Sequence, residues 1–504
     1  MSNKTALMKL LIFLIIFLLL FCFTSELLKG RTFDGSDDIS RKMKGFYNST
    51  DKFDVVFVGS SQAFVNVIPA VLWDNYGITS YDFAVSRQPF WISYHYIKEA
   101  VQKDKTKIVA LEIASAYYSE EYHMDGVNRL NLNELRWSKN KVDAIKASVP
   151  EDMRLSYYLD IIKYHSQWTN LNQYNYKSLT SPQDTNPYKG FYPFRFPREY
   201  GEEVNPDFLD TEKSSELSGK NAEYLYKIID YCKQENIPLI LFKAPNSDIW
   251  GNYYYNSIEQ ICSQMEVPFV NFNRIMQGEA HMNVLQAEKF TIELGNYLRN
   301  AYDIIDKRDK PDYNQWYESV LYFEQEKNQL ALNLETNLSN YLDILIGNPN
   351  YISIFSTVDE VFTNIDPVVL DKLAKLGFNT PSIGTYGDVF IGISSSDYLH
   401  EDLLSTESTF YNINIDDVNI EMNNKNRKAN KLASILINGI EYSQNISGIN
   451  IVVYDKVLGR VVDTICFRNS NERQAVWEII DTYNGRYFQL RTGAKAKITI
   501  PEDS

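Results

Sequence analysis

The chain has 504 residues, of which 44% are hydrophobic and 23% are charged. This length exceeds what a single hydrophobic core usually supports, so we expect two or three domains. The formal net charge of -15 argues against nucleic acid or an anionic lipid surface as the main partner, because both would repel the protein.

The amino terminus carries an almost continuous apolar run, residues 6–24. A helix of this length can cross a hydrocarbon core of roughly 30 Å. Lys4 and Lys9 lie at its start, so the positive-inside rule predicts that the rest of the chain is outside. A cleaved signal peptide is the alternative, but no small-residue cleavage site follows the run. We therefore expect a single-pass protein of the cell membrane whose bulk is extracellular.

The apolar run sets the first two segments of the predicted organisation. Residues 1–30 form a cytoplasmic stub and a transmembrane anchor. Residues 31–52 form a polar stalk. The lipid bilayer is therefore one predicted partner, contacted through the amino-terminal helix.

Short apolar runs then alternate with helical periodicity between residues 53 and 306. The predicted strands are residues 55–58, 80–85, 107–113, 238–242 and 268–272. The predicted helices are residues 69–76, 92–102, 222–234 and 254–265. Nearly continuous apolar strands that alternate with helices indicate an α/β domain whose parallel sheet is covered on both faces. Such a sheet places its functional site at the carboxyl ends of its strands.

Residues 117–214 interrupt this alternation and are rich in Tyr, Asn, Lys and Ser. They form either an insertion over the strand ends, which would act as a lid or substrate wall, or a peripheral helical excursion. The cysteines form no CxxC or Cys/His cluster, so a structural zinc site is not expected. Cys232 and Cys262 either form a bridge or remain as thiols.

The carboxyl-terminal part follows a polar, helix-prone segment, residues 307–346, which we expect to be a connecting helix. Residues 347–504 predict a smaller domain with strand, helix and strand, then several strands with turns at Asn438-Gly439 and Leu458-Gly459. Its parallel and antiparallel features suggest a compact α/β or β-sandwich-like module.

A pair of serines ends the first predicted strand, in the sequence Gly59-Ser60-Ser61. Where a strand turns into a helix, a serine Oγ can project over the sheet while backbone N–H groups point at the same spot. A simple cap or turn is the alternative. His281 lies in a loop just before a long predicted helix, which would bring it to the same rim. A serine needs a base within hydrogen-bond reach to become a nucleophile.

Six segments resemble, in chain order, blocks of the SGNH/GDSL hydrolase superfamily. They are "VVFVGSSQAF", "YDFAVSRQPFW", "IVALEIASAYY", "PLILFKAPN", "VPFVNFN" and "HMNVLQAEKFT". The resemblance covers roughly residues 53–306 and is nearest to the membrane-anchored branch related to D-alanyl-lipoteichoic acid and alginate O-acetylation proteins. It implies a flavodoxin-like three-layer fold and acyl-group chemistry on a cell-surface polysaccharide. Ser61 would be the nucleophile and His281 the base, and the Ser61 backbone N–H would contribute to an oxyanion hole.

The chain departs from this pattern at three positions. Gly278 stands where related proteins usually carry Asp, so Glu279 is the alternative residue that could orient His281. Arg87 replaces a glycine that would donate its N–H to the oxyanion, and its side chain could bind an anionic substrate. Gln286 replaces a second glycine. These departures leave open a catalytically degenerate polysaccharide-binding or assembly protein on the same fold.

Two further residues at a strand end are candidates for contact with substrate. Asn246 could supply a side-chain donor to the oxyanion, or it could form a turn. Lys243 could bind an anionic group, or it could be a surface lysine. Paired acids, HExxH and a phosphate loop are all missing from the sequence, so we expect no cofactor and no metal.

The segment "INGIEYSQNISGINIVVYDKVLGRVVDTICF", residues 437–467, resembles the strand region of ILEI/PANDER-like domains, with the two halves in permuted order. This resemblance implies either carbohydrate binding or a structural interaction module. The predicted partners are therefore a cell-surface glycan and, for acyl transfer, a multi-pass membrane acyltransferase that supplies the acyl donor. This chain has one predicted span and could not carry a donor across the membrane itself.

Overall fold

The structure is a computed structural model, which describes most of the chain in separate ranges. The described ranges are residues 3–29, 39–102, 105–118, 121–171, 175–176, 186–195, 214–246, 252–358, 365–379, 389–404, 408–425, 432–468 and 472–474. The chain divides into two compact units. The first unit comprises Met1–Phe194 and Arg198–Val320, and the second comprises Arg195–Pro197 and Leu321–Ser504.

The first unit begins with α1, Asn3–Leu28, which is followed by α2, Ile39–Asn48. Within α1, Leu7–Leu28 has a mean hydropathy of 2.8 and is long and apolar enough to cross a bilayer. Its side chains from Leu7 to Leu20 are all exposed. Exposed leucine and phenylalanine around a whole helix indicate an apolar surrounding rather than water.

A five-stranded sheet forms the centre of the first unit. Its strands are β1, Phe53–Val58; β2, Ser80–Asp82; β3, Thr106–Glu112; β4, Leu239–Lys243; and β5, Phe269–Asn271. They run in the order β2-β1-β3-β4-β5, and all four pairings are parallel. The predicted strands and the parallel sheet are confirmed. Every residue of β1 is buried, as the continuous apolar run predicted.

Helices surround this sheet and continue into the segment between β3 and β4. They are α3, Ser61–Phe64; α4, Pro69–Tyr76; α5, Phe90–Val101; α6, Asp125–Leu132; α7, Lys139–Ser148; α8, Leu155–Tyr158; α9, Ile161–Tyr164; α10, Gly219–Gln234; α11, Asn252–Gln264; and α12, Val284–Ala301. α5 packs against α7 and α10, whereas α4 packs against α12. The described part of residues 117–214 is therefore mainly helical.

The cysteine alternatives are resolved in favour of thiols. All four cysteines are free, and Cys232 and Cys262 are buried. Burial raises the pKa of each of these two thiols to about 12, so neither is poised to react.

The second unit combines helices with two antiparallel sheets. Its helices are α13, Trp316–Leu334, which starts in the first unit, α14, Leu338–Gly347, and α15, Pro367–Lys375. The segment predicted as one connecting helix thus contains two helices. The six-stranded sheet has the order β15-β14-β13-β6-β7-β8 and the four-stranded sheet has the order β12-β11-β10-β9. These strands are β6, Tyr351–Val358; β7, Val389–Ser394; β8, Leu399–Leu404; β9, Ser408–Ile415; β10, Val418–Lys425; β11, Leu432–Ile437; β12, Ile440–Glu441; β13, Gly448–Asp455; β14, Arg460–Arg468; and β15, Glu472–Gln474.

The strand directions correct one expectation for this unit. β6 and β7 flank α15 in the chain, but they pair antiparallel, and so do all the other paired strands that the structure describes in this unit. The parallel features expected here are therefore wrong. The two predicted turns are confirmed, because Asn438 and Gly439 adopt φ of 51° and 79° and Gly459 adopts φ of 66°. Positive φ at both central residues is what a two-residue hairpin turn requires.

Asp82, at the end of β2, is a buried acid. Its side chain is fully buried, and neither carboxyl oxygen accepts or donates a hydrogen bond within the described residues. Burial raises the pKa of Asp82 well above its usual value, and the nearby charge of Lys42 only partly opposes this shift. Burial therefore stabilises the neutral acid relative to the carboxylate.

We expect Asp82→Asn to stabilise the first unit increasingly as pH rises. Because the pKa of Asp82 is raised on folding, its contribution to the free energy of unfolding is present at low pH and falls as pH rises from about 4 towards the folded-state pKa. An asparagine cannot ionise and lacks this loss. Urea unfolding of the full chain, followed by tryptophan emission at about pH 5 and about pH 8, measures the difference. The exposed Asp74→Asn is the control, and an Asp82→Asn effect that is equal at both pH values would contradict the burial argument.

Candidate active site

The first candidate residue, Ser61, lies where β1 turns into the short helix α3. Gly59 precedes the turn with φ of 142°, and a Cβ at this position would lie 2.8 Å from the Glu112 carbonyl oxygen. Only glycine therefore allows β1 to end so close to β3. The Ser60 hydroxyl caps α3 by accepting a hydrogen bond from the Gln62 N–H at 3.3 Å. Ser61 is the first helical residue and is half-buried.

The second candidate, His281, lies two residues before Asn283, the N-cap of α12. The Asn283 side chain accepts hydrogen bonds from the N–H groups of Leu285 and Gln286, each at 3.1 Å. In return, the Gln286 side chain accepts from the Asn283 N–H at 3.2 Å, which completes a capping box. Gln286 therefore has a structural role at a position where the resembling pattern has glycine.

The Ser61 and His281 side chains meet, although they are 220 residues apart in sequence. The distance between Ser61 Oγ and His281 Nε2 is 2.8 Å. This separation is within the range over which an imidazole can take a proton from a hydroxyl. His281 is exposed, and the Phe194 ring lies beside it with ring centroids 5.7 Å apart. Phe194 belongs to the segment predicted as an insertion, so a described part of that segment lies beside His281.

Asn66 positions the loop that carries His281, and sequence analysis missed it. Its side-chain N–H donates to the Ala280 carbonyl at 3.1 Å, and its side-chain oxygen accepts from the Met282 N–H at 2.9 Å. One amide group thus bonds to the residues on both sides of His281. The Thr291 hydroxyl on α12 donates in turn to the Asn66 carbonyl at 3.2 Å. The only sequence signal was a polar residue inside the apolar stretch "FVNVIP".

A buried ion pair lies next to the two residues that flank Ser61 in sequence. Glu112 at the end of β3 and Lys243 at the end of β4 are both fully buried, with Lys243 Nζ 4.0 Å from a Glu112 oxygen. The Ser60 hydroxyl donates to Glu112 at 2.9 Å. The Lys243 ammonium donates to the Gln62 side-chain oxygen. Both neighbours of Ser61 are therefore bonded to this ion pair.

The ion pair also bears on the predicted role of Lys243. Burial raises the pKa of the Glu112 carboxyl, and the charge of Lys243 opposes that shift. Lys243 also donates to the Ala244 carbonyl at 2.7 Å. The interpretation of Lys243 as a surface lysine is therefore wrong, and its contact with substrate stays a prediction.

The backbone at Arg87 has a conformation that glycine adopts more readily than other residues. Arg87 adopts φ of 53°, in the left-handed region that favours glycine. Asn131 supports this turn by donating its side-chain N–H to the Ser86 carbonyl at 3.1 Å. The half-buried Arg87 side chain contributes to a cavity of about 290 Å³. The other residues that line this cavity are Tyr117, Tyr118, Tyr122, His123 and Met124.

Gly278 lies in a space that excludes a side chain. A Cβ at this position would lie 2.6 Å from the Cβ of Pro245, so an aspartate does not fit here without a shift of the backbone. Glu279 is half-buried, two residues before His281. Asn246 is buried, and its backbone N–H donates to the Asn273 side-chain oxygen at 2.6 Å. The roles of Glu279 as orienting acid and of Asn246 as oxyanion donor stay predictions.

Metal-ligating side chains do not cluster in the part of the chain that the structure describes: it contains no group of three or more His, Cys, Asp and Glu residues able to hold an ion. Comparison with models of protein families and with curated protein sequences finds no match. Any assignment of this chain to a class of protein therefore depends on the strand order and on the contact between Ser61 and His281.

We expect Asn66→Ala to destabilise the first unit by roughly 2 kcal/mol, because it leaves a carbonyl and an N–H of the His281 loop without partners. Asn75→Ala is the matched control, since this exposed asparagine makes one hydrogen bond, to the Val71 carbonyl in its own helix. Its cost should stay below about 0.5 kcal/mol. Urea unfolding of the full chain measures both, and equal costs would show that Asn66 does not hold the loop.

Lys243→Met should cost about 3–5 kcal/mol, because it leaves the buried Glu112 carboxyl without its cation. Lys227→Met is the control. Lys227 pairs with Glu223 on the surface of α10, and an exposed pair contributes about 0–1 kcal/mol. The free energy of unfolding is the measured quantity. A Lys243→Met variant as stable as Lys227→Met would exclude a structural role for the buried ion pair.

Proposed function

We propose that this chain is a membrane-anchored, extracytoplasmic acyltransferase or esterase of the SGNH type. It acts on O-acyl groups of a cell-surface polysaccharide, with Ser61 as nucleophile and His281 as base. The observation that carries the proposal is the distance of 2.8 Å between Ser61 Oγ and His281 Nε2. A serine hydroxyl in contact with an exposed imidazole is the minimum arrangement for nucleophilic acyl chemistry.

The position of Ser61 in the sheet supports this proposal. The parallel order β2-β1-β3-β4-β5 is the order of flavodoxin-like sheets, in which ligands bind beyond the carboxyl ends of the strands. Ser61 follows β1, and Arg87 follows β2, its neighbour in the sheet. The N–H groups of Ser61 and Arg87 and the side chain of Asn246 are the proposed donors to the oxyanion.

The reaction proceeds in two steps. In the first, His281 takes the proton of Ser61 while Oγ attacks the ester carbonyl, and the imidazolium then gives that proton to the departing sugar or donor oxygen. This step leaves an acyl group on Ser61. In the second, His281 takes a proton from water or from a sugar hydroxyl, whose oxygen attacks the acyl carbonyl. The bond between the acyl group and Ser61 Oγ then breaks, and the imidazolium returns the proton to Oγ. Water as the acceptor gives hydrolysis, and a sugar hydroxyl gives transfer. Glu279 is the proposed residue that orients the imidazole.

The remaining parts of the chain supply location and partners. α1 anchors the protein with its bulk outside the cell. For transfer, a multi-pass membrane acyltransferase delivers the acyl donor. The second unit, proposed as an ILEI-like domain, holds the glycan or a protein partner.

The alternative is a catalytically degenerate protein that binds a polysaccharide or takes part in its assembly. The close approach of Pro245 to Gly278 favours this alternative, because it excludes the orienting aspartate that related proteins carry at that position. Loss of the orienting acid can lower activity by several orders of magnitude. The two functions make opposite predictions about the reactivity of Ser61.

Labelling of the full chain by a fluorophosphonate tests the proposal. We expect the wild-type protein to be labelled, Ser61→Ala to abolish labelling, and His281→Ala to slow it by roughly 1,000-fold or more, because the base is lost. Ser60→Ala is the control, since Ser60 is the adjacent hydroxyl but is bonded to Glu112. Hydrolysis of p-nitrophenyl acetate should follow the same order. A wild-type protein that is not labelled but retains binding to a polysaccharide would favour the degenerate alternative.

A further inference from the structure

Two exposed tryptophans distinguish one region of the first unit. Five tryptophans lie in the described residues, and three of them, Trp73, Trp91 and Trp316, are fully buried. Trp137 and Trp168, in contrast, are 59% and 69% exposed. Large aromatic side chains that stay exposed in a folded unit often mark a surface that meets a partner.

Both tryptophans lie in the region that contacts the carboxyl end of α1. The helix packs against α9 and against the 3-10 helix His165–Asn170, which contains Trp168. Lys29, directly after α1, forms an ion pair with Asp160 at 3.0 Å. Lys141 lies 4.7 Å from the centre of the Trp137 ring. Lys141 also donates to the Asn133 carbonyl at 2.8 Å, and the Asn133 side chain donates to the Tyr164 hydroxyl on α9 at 3.0 Å, so hydrogen bonds connect the surroundings of Trp137 to α9.

Exposed aliphatic residues continue the same surface. Leu155 on α8 is 59% exposed, and on either side of Asp160 Leu159 and Ile162 are 40% and 42% exposed. Trp137, Leu155, Leu159, Ile162 and Trp168 together form what we call the apolar shelf. Leu155 lies on α8, Leu159 directly after α8 and Ile162 on α9, and the last two are close in sequence to Asp160, which pairs with Lys29.

We propose that the apolar shelf lies in the interface of the lipid bilayer, as a second membrane contact beside α1. Leu7–Leu28 contains 22 residues and, at about 1.5 Å per residue, has the length of a hydrocarbon core. Its carboxyl end, Leu28, is therefore at the level of the lipid headgroups. The apolar shelf lies next to this end of α1. Tryptophan is enriched at that depth because its ring is apolar and its N–H remains hydrogen-bonded.

This second contact constrains the first unit on the membrane. A single helix followed by a free linker allows rotation, whereas a helix and an adjacent apolar surface fix one face of the unit toward the lipid. The proposal depends on α1 spanning the bilayer and not on the chemistry of Ser61. Its failure would therefore leave the proposed acyl chemistry untouched.

A fluorescent reporter in the full chain tests the position of the shelf. We would attach an environment-sensitive NBD group to Ile162→Cys in a Cys22→Ser background, where the three remaining cysteines are buried. Leu285→Cys on α12, exposed to 41%, is the matched control for the 42% exposed Ile162. In nanodiscs of phosphatidylcholine, we expect headgroup-attached nitroxide lipids to quench the reporter at 162 and to leave the reporter at 285 unquenched. Without lipid there is no nitroxide to quench either reporter, so the two positions are compared only in nanodiscs.

Intrinsic emission gives an independent readout of the same surface. The nitroxide lipids should quench wild-type tryptophan emission, and the double variant Trp137→Phe, Trp168→Phe should lose that lipid-dependent quenching while incorporating into discs equally well. Equal quenching at positions 162 and 285 would overturn the proposal, and so would unchanged quenching in the double variant. Either result would fit a surface that binds another protein instead of lipid. A chain that fails to incorporate into discs would overturn it as well, because the shelf then has no helix to place it in lipid.

Discussion

The hydrogen bond between Ser61 and His281 is the contact on which the candidate site depends. Neither residue is held by its own helix alone. The residues on both sides of His281 are bonded to the Asn66 amide, and those on both sides of Ser61 are bonded to the Glu112–Lys243 ion pair. The flanking residues thus hold Ser61 and His281 in position. The hydrogen bond between Oγ and Nε2 then joins the two side chains directly. Such support from surrounding groups is what keeps a catalytic pair in a usable geometry.

The three positions that depart from the SGNH pattern, which the sequence resembles, differ in their structural setting. Gln286 completes a capping box, so its side chain has a structural role at the position where the pattern has glycine. Arg87 has a left-handed backbone, which glycine would adopt without strain, so this position tolerates the conformation that a glycine would have there. Gly278 matters more, because Pro245 occupies the space that the side chain of an orienting aspartate would need there. The chemistry proposed for the site thus depends more on how His281 is oriented than on the oxyanion donors.

The proposed membrane contacts of α1 and the apolar shelf would together hold the first unit in one orientation on the bilayer. A parallel sheet has all its strand ends at one edge, and the candidate site lies at that edge. A unit fixed to the bilayer by a helix and by an adjacent apolar surface presents that edge at a constant orientation. An enzyme that modifies a polymer at the cell surface would gain from this constraint, because the acyl acceptor approaches from outside the membrane.

The sequence determined the elements whose residue types by themselves indicate burial, a helix start or a turn. β1, β3 and β4 each contain a run of four apolar residues, α4 begins at Pro69, and the hairpin turn at Asn438-Gly439 has the residues that positive φ requires. β9 and β10, which contain several asparagines, were not predicted individually. The expected parallel features were wrong because the pairing direction of β6 and β7 depends on distant strands. Only the tertiary structure could show that Glu112 and Lys243 are a buried pair, since charged residues in sequence read as surface. It alone also brought Asn66 against the His281 loop, because a hydrogen bond across 214 residues of chain leaves no local pattern.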